Sequence, residues 1–168
     1  MSPIAAADDP SLTLDVIVES SLWEDQPEAE TVIRETITVA AKSTARAAAE
    51  IAILLTDDSA IRKINRQWRD QDKPTNVLSF PANEAGLEAG HLGDIVIAYE
   101  TLAREAAAEN KPFAHHLAHL TIHGYLHLLG YDHMSDTDAV QMEKLETALL
   151  EKLGIPDPYA HAEPEDLN

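Results

Sequence analysis

The stretch His123-Gly124-Tyr125-Leu126-His127-Leu128-Leu129-Gly130-Tyr131-Asp132-His133 constrains the fold of this chain more than any other. Its spacing is H-x3-H-x2-G-x2-H. Two histidines four apart on an α-helix lie about 40° apart around the axis and about 6 Å apart along it, so both imidazoles reach one ion. A glycine just beyond them adopts the left-handed conformation that stops a helix. The turned chain then returns His133 as a third ligand. The fold must therefore provide a helix through His123 and His127 and a sharp turn at Gly130. Three nitrogens leave one position of a tetrahedral zinc open, which is the catalytic rather than the structural arrangement.

The run offers a second register, because His115, His119, His123 and His127 recur every four residues. A straight helix separates His119 from His127 by about 12 Å, too far to share an ion. His119 is read instead as a polar neighbour of the site. Metzincin proteases use similar histidine spacing, but carry a glutamate as general base directly after the first histidine. Here that position is Gly124, which takes no proton and costs a helix about 1 kcal/mol relative to alanine. Gly124 is expected to leave room for a close approach, or simply for helix packing on a sheet. Proton transfer stays unassigned, with Asp132 and Asp94 as candidates for it or for orienting an imidazole.

The chain has 168 residues and a formal net charge of −18. That length suits one domain with its own core. No cysteine is present, which rules out disulfides and thiolate zinc sites and fits a cytoplasmic location. No run approaches the 18 or so apolar residues of a membrane span. The acidity argues against nonspecific nucleic-acid binding, since phosphate contacts need Lys or Arg. Yet five of the twelve basic residues, Arg62, Lys63, Arg66, Arg69 and Lys73, fall close together. Arg62, Arg66 and Arg69 make one helical stripe, read either as a solvated face or as a local anion site. Trp68 and Phe80 are able to stack bases, but on amphipathic segments core packing is the preferred reading.

Residues 1–11 are expected to form a disordered extension without the basic start of a secretory signal. Residues 12–160 form a single metal-dependent hydrolase domain, and 161–168 an acidic tail. Leu12, Leu14, Val16 and Val18 alternate as one face of a strand. Pro27 opens a helix running to about Arg46. A strand follows over 50–56, then a helix capped by Asp57 that runs through Arg69. Residues 77–80 form a short strand ended by Pro81, 83–92 a loop or hairpin connection, and 94–99 another strand. Helices cover about 100–109, 112–130 and the segment from Asp136, which is expected to cap the last one. The class is α+β: a small mixed sheet of about four strands packed by about five helices, with the HxxxH helix central.

Four segments in order resemble the YbeY family of bacterial single-strand endoribonucleases of ribosomal RNA maturation. They are Asn65-Arg66-Gln67-Trp68-Arg69, then Asp72 to Pro81 (DKPTNVLSFP), Leu92 to Ile97 (LGDIVI), and the His123–His133 run. The final helix through Pro158-Tyr159 is also similar. The likeness spans about residues 12–160; the first ten residues have no placed counterpart. It implies the family fold, one zinc at His123, His127 and His133, a functional arginine at Arg69, and cleavage of single-stranded ribosomal RNA precursors. Arg62 and Arg66 are then candidate RNA contacts, and the small ribosomal subunit or a ribosomal protein an expected partner. Zinc lowers the pKa of water from 15.7 to about 7, and a guanidinium stabilises charge on phosphoryl oxygens. Whether water or the RNA 2′-OH attacks is left open. Two other classes compete: an assembly factor with little or no catalysis, and a different metal-dependent hydrolase. Ser79 has no evident histidine–acid partner and is read as structural.

Overall fold

A computed structural model describes residues 12–44 and 49–160. The expected extension over 1–11, the tail over 161–168 and the helix end near Arg46 lie outside the described residues. Four strands form one mixed sheet: β1 (Leu12–Val18), β2 (Ala49–Thr56), β3 (Val77–Pro81) and β4 (His91–Ala98). Their order is β1-β2-β4-β3, with β1, β2 and β4 parallel and β3 antiparallel to β4 along one edge. Six α-helices accompany them among the described residues: α1 (Ala29–Ser43), α2 (Asp58–Arg69), α3 (Glu84–Glu88), α4 (Tyr99–Ala108), α5 (Phe113–Leu128) and α6 (Asp136–Lys152). A short 3-10 turn covers Ser21–Asp25. No helix among the described residues is long and apolar enough to cross a membrane.

The α+β reading holds, with differences that have local causes. The 83–92 connection carries α3, because Asn83 caps it by accepting from Gly86 N at 2.8 Å. Strand β4 starts at His91 and ends at Ala98, since Tyr99 already opens α4. Ser135, not Asp136, caps α6: its Oγ accepts from Asp138 N at 3.1 Å, which leaves Asp136 as the first helical residue. Asp57 caps α2 as expected, accepting from Ala60 N at 2.9 Å. The alternation of β1 is only half rewarded, because β1 is an edge strand and Val18 is exposed.

Both sheet faces are covered, so β2 and β4 read as near-continuous apolar runs. On one face Ile51, Ile53, Leu55, Ile95 and Ile97 pack with α1 and α5 in the larger core. On the other, Val96, Ala98 and Leu78 pack with Ile61 of α2. Helix α5 is anchored by Leu117, Ile122 and Leu126, all fully buried, and each contributes about 1.5–3 kcal/mol of transfer free energy. The helix lies tight on the sheet at Gly124, where an added Cβ would stand 3.0 Å from Ile95 Cγ2 and 3.1 Å from Ser79 Oγ. Ser79 Oγ donates to the Gly124 carbonyl at 3.1 Å. Ser79 is thus structural, and Gly124 is small to seat the helix on the sheet.

Gly93 brings β4 close to its neighbours at the lower end of α5. It has φ +151, and a Cβ there would lie 2.5 Å from the Phe80 carbonyl oxygen and 2.6 Å from Leu128 Cδ2. The backbone oxygen cannot move aside without breaking the β3–β4 ladder. Gly93→Ala is expected to cost about 3 kcal/mol, a fall in Tm of about 6–12 °C for a domain of this size. Thermal unfolding followed by circular dichroism checks this; an unchanged Tm contradicts the packing described.

Candidate metal centre

His123 and His127 stand on the last two turns of α5, and the helix stops at Leu128. Gly130 has φ +98, a backbone conformation that glycine adopts without strain, as expected of it. His133 returns to the helix end, and one ring nitrogen from each of the three histidines lies within 4.8 Å of the others. His123 and His127 are half-buried and His133 is exposed.

The proton positions on two of the rings follow from their partners. His127 Nδ1 lies 2.9 Å from the Tyr131 carbonyl, which only accepts, so Nδ1 carries the proton. His123 Nδ1 lies 2.5 Å from Glu146 Oε2. Burial pushes the Glu146 carboxyl up, but hydrogen bonds from His119 and His123 outweigh it and hold the group down at about 2. An ionised carboxylate also only accepts, so His123 Nδ1 carries its proton too. With both rings neutral the two Nε2 atoms present lone pairs to each other at 3.1 Å, a contact that a shared proton or a bound cation makes favourable. Tetrahedral zinc with nitrogen ligands at about 2.0–2.1 Å spaces those nitrogens by about 3.3 Å. The donor set therefore fits a metal ion. Burial, with His123 and His133 adding to it, lowers the His127 pKa and favours the neutral ligand form.

Glu146 was missed at the sequence level. It is 1% exposed and sits on α6 among Met142, Leu149 and Leu150. Its Oε1 accepts from His119 Nε2 at 3.2 Å and from the Tyr159 hydroxyl. Burial first, then the adjacent Glu146, pushes Tyr159 well above the usual phenol range, so it remains a donor. His119 thus reaches the site through Glu146 and stands outside the cluster of three ring nitrogens. The signal was present: Met142, Glu146, Leu149 and Leu153 share one helical stripe, and a carboxylate among apolar stripe residues needs partners. A second network supports the opposite wall. His116 Nε2 bonds Glu105 Oε1 at 2.8 Å, and Asn76 Nδ2 donates to the same oxygen at 3.0 Å.

Two grooves meet at His123 and His133. One, of about 620 Å³, is lined by Arg69, Thr75, Asn76, Ser79, Pro81, Asp132 and the three histidines. The other lies against α6 and includes Glu143, Glu146 and Tyr159. The structure therefore brings Arg69 to the metal cleft. Arg62 and Arg66 line a separate hollow with Asp58, Lys63 and Asp72, and Arg62 is paired with Asp72 at 2.8 Å. The stripe splits because Arg69 lies at the helix end, where the 73–76 segment crosses. Asp132 turns back to accept from Met134 N at 3.1 Å. Asp94 pairs with His91 at 3.2 Å, away from the three histidines. The core placement of Trp68 is overturned: it is 66% exposed and meets Phe80 edge-on at 6.1 Å.

The sequence model described as Endoribonuclease YbeY matches residues 18–154 of this chain. The chain belongs to the YbeY endoribonuclease family. A relative from Bradyrhizobium sp., named Endoribonuclease YbeY, is 54% identical over 92% of this chain and 96% of its own length. Another of that name from Bradyrhizobium diazoefficiens is 53% identical over 87% of this chain and 84% of its own. The solution structure of TM1509 from Thermotoga maritima is similar in fold, with a TM-score of 0.53 and 27% identity over 84% of this chain and 89% of that one.

If the three imidazoles form the site, His127→Ala abolishes metal binding and His119→Ala keeps most of it. Elemental analysis of the purified variants measures this. Full occupancy in His127→Ala would contradict the assignment.

Proposed function

We propose that this protein is a single-strand-specific, zinc-dependent endoribonuclease acting in ribosomal RNA maturation and quality control, with one zinc held by His123, His127 and His133. The observation that carries the reading is the convergence of one ring nitrogen from each of His123, His127 and His133 within 4.8 Å, in the same cleft as Arg69. Family membership supports RNA as the substrate class. Zinc bound there supplies the Lewis acidity that activates water and polarises phosphoryl oxygens.

The chain's own residues divide the remaining work. Glu146 and the Tyr131 carbonyl fix the proton on Nδ1 of His123 and His127, so each presents Nε2 to the ion. Arg69 offers a planar fork of donors to the phosphate whose charge grows during cleavage. Asn76, held by Glu105, sets the wall opposite the histidines.

The acidity of the chain shapes how RNA reaches this cleft. At −18 the protein repels a long RNA everywhere except near its few basic residues. Delivery by the small ribosomal subunit or a ribosomal protein in the cytoplasm resolves this, because the partner then holds the strand. The assembly-factor reading has less support, since a purely structural site has no use for an open cleft with an arginine beside it.

Arg69→Ala is expected to lower turnover on single-stranded RNA by about 100-fold, with zinc content and Tm near wild type. Arg69→Lys should recover little, because it lacks the planar fork. The assay compares metal-loaded wild type and variants on single- and double-stranded RNA. Unchanged cleavage by Arg69→Ala would remove the arginine from the reaction, and wild-type protein inert on single-stranded RNA would overturn the function.

A further inference from the structure

Trp68 belongs to the apolar stripe of α2 that contains Ile61 and Ile64, at i+7 and i+4 from them. Ile61 is fully buried under the sheet and Ile64 packs at its margin. One turn further along, the sheet has run out, because β3 is its edge strand. Trp68 therefore overhangs and leaves 66% of its surface exposed. Among the described residues its one ring partner is Phe80, which lies half-buried beneath it with centroids 6.1 Å apart and planes at 63°. An indole this exposed forfeits most of the burial that makes tryptophan stabilising.

Its position gives the exposed ring a use. Arg69, the next residue, lines the metal cleft. Ser79 and Pro81, on either side of Phe80 in β3, line the same cleft. Phe80 alternates to the α2 face of β3, opposite Ser79, so the aromatic pair lies across the sheet edge from the cleft and is linked to it through Arg69. Arg66 and Arg69 make the last turn of α2 basic. A nucleotide brings a phosphate for the arginine and a flat base for the indole, which matches both features of this corner.

We propose that Trp68, floored by Phe80 and beside Arg69, is a stacking platform for an unpaired base of the RNA strand entering the metal cleft. The inference rests on the reading of the cleft as an RNA site and names how the strand is held next to it. Stacking requires a base face free of its pairing partner's neighbours, so the platform takes single strands and rejects a continuous duplex. It is sequence-tolerant, because every base presents a π-face.

Intrinsic fluorescence reads this directly. The chain has two tryptophans, and Trp23 is 3% exposed with its Nε1–H bonded to the Thr56 carbonyl at 2.9 Å. A short 2′-O-methyl oligouridine, which cannot be cut through its 2′ position, is titrated into the whole protein. Emission from Trp68 should quench saturably, and an abasic oligomer with the same phosphates should not quench it. By labelled-oligomer anisotropy, Trp68→Leu should bind about tenfold or more weakly, while Trp68→Phe stays near wild type. Absence of quenching, equal quenching by the abasic oligomer, or wild-type affinity in Trp68→Leu overturns the proposal. Concentration-dependent self-association that Trp68→Leu abolishes also overturns it, by showing that a second copy covers the ring. Cleavage of single-stranded RNA in the same preparation separates the two readings: cutting without quenching sinks the platform alone, and no cutting sinks the nuclease.

Discussion

A carboxylate that is 1% exposed persists in its ionised form only when donors fill its lone pairs, and Glu146 draws its donors from two other segments. His119 and His123 come from α5, and Tyr159 from the segment after α6. The arrangement ties the segment after α6 to the helix that carries two of the three clustered histidines. It also decides which nitrogen of His123 is free. Without the carboxylate, that imidazole has no fixed tautomer, and the convergence of Nε2 atoms becomes one option among several. Leaving either side of this buried network unpaired would cost several kcal/mol.

Around that anchor the backbone is closely fitted. Gly124 lets α5 rest directly on Ile95 and lets Ser79 bond its carbonyl. Gly130 turns the chain so that His133 reaches the helix end. The 73–76 segment is held from two sides, by Asn65 donating to the Lys73 carbonyl at 2.9 Å and by Glu105 on Asn76. That segment forms the wall facing the histidines, and α2 delivers Arg69 to the same cleft. Rigid elements thus supply the ligands, the arginine and the wall, which is how a site keeps its geometry without a substrate present.

What was legible in the sequence was what depends on neighbours along the chain. The ligand set follows from a four-residue helical step and one helix-stopping glycine, both local. Strand β1 announced itself by alternation, β2 by an apolar, β-rich run, and Asp57 by its place before an amphipathic run. What depends on a distant partner was not legible. Glu146 meets His123 across 23 residues, and only its odd position in an apolar stripe hinted at it. Arg62 looked like part of a phosphate-binding stripe until Asp72, ten residues on, was seen to pair with it. Trp68 had the right periodicity for a core residue, but where a sheet ends is a tertiary fact. Helix α3 was hidden among glycine and polar residues that favour a loop reading.

Glu146 holds the Nδ1 proton of His123 and so leaves its Nε2 for the metal. Glu146→Gln keeps the size of the side chain and an acceptor oxygen but loses the charge. The direct measurement is zinc affinity, by competition against a chromophoric chelator, on a variant whose far-UV spectrum matches wild type. Binding is expected to weaken by about 10- to 100-fold. Wild-type zinc affinity in Glu146→Gln would contradict this role.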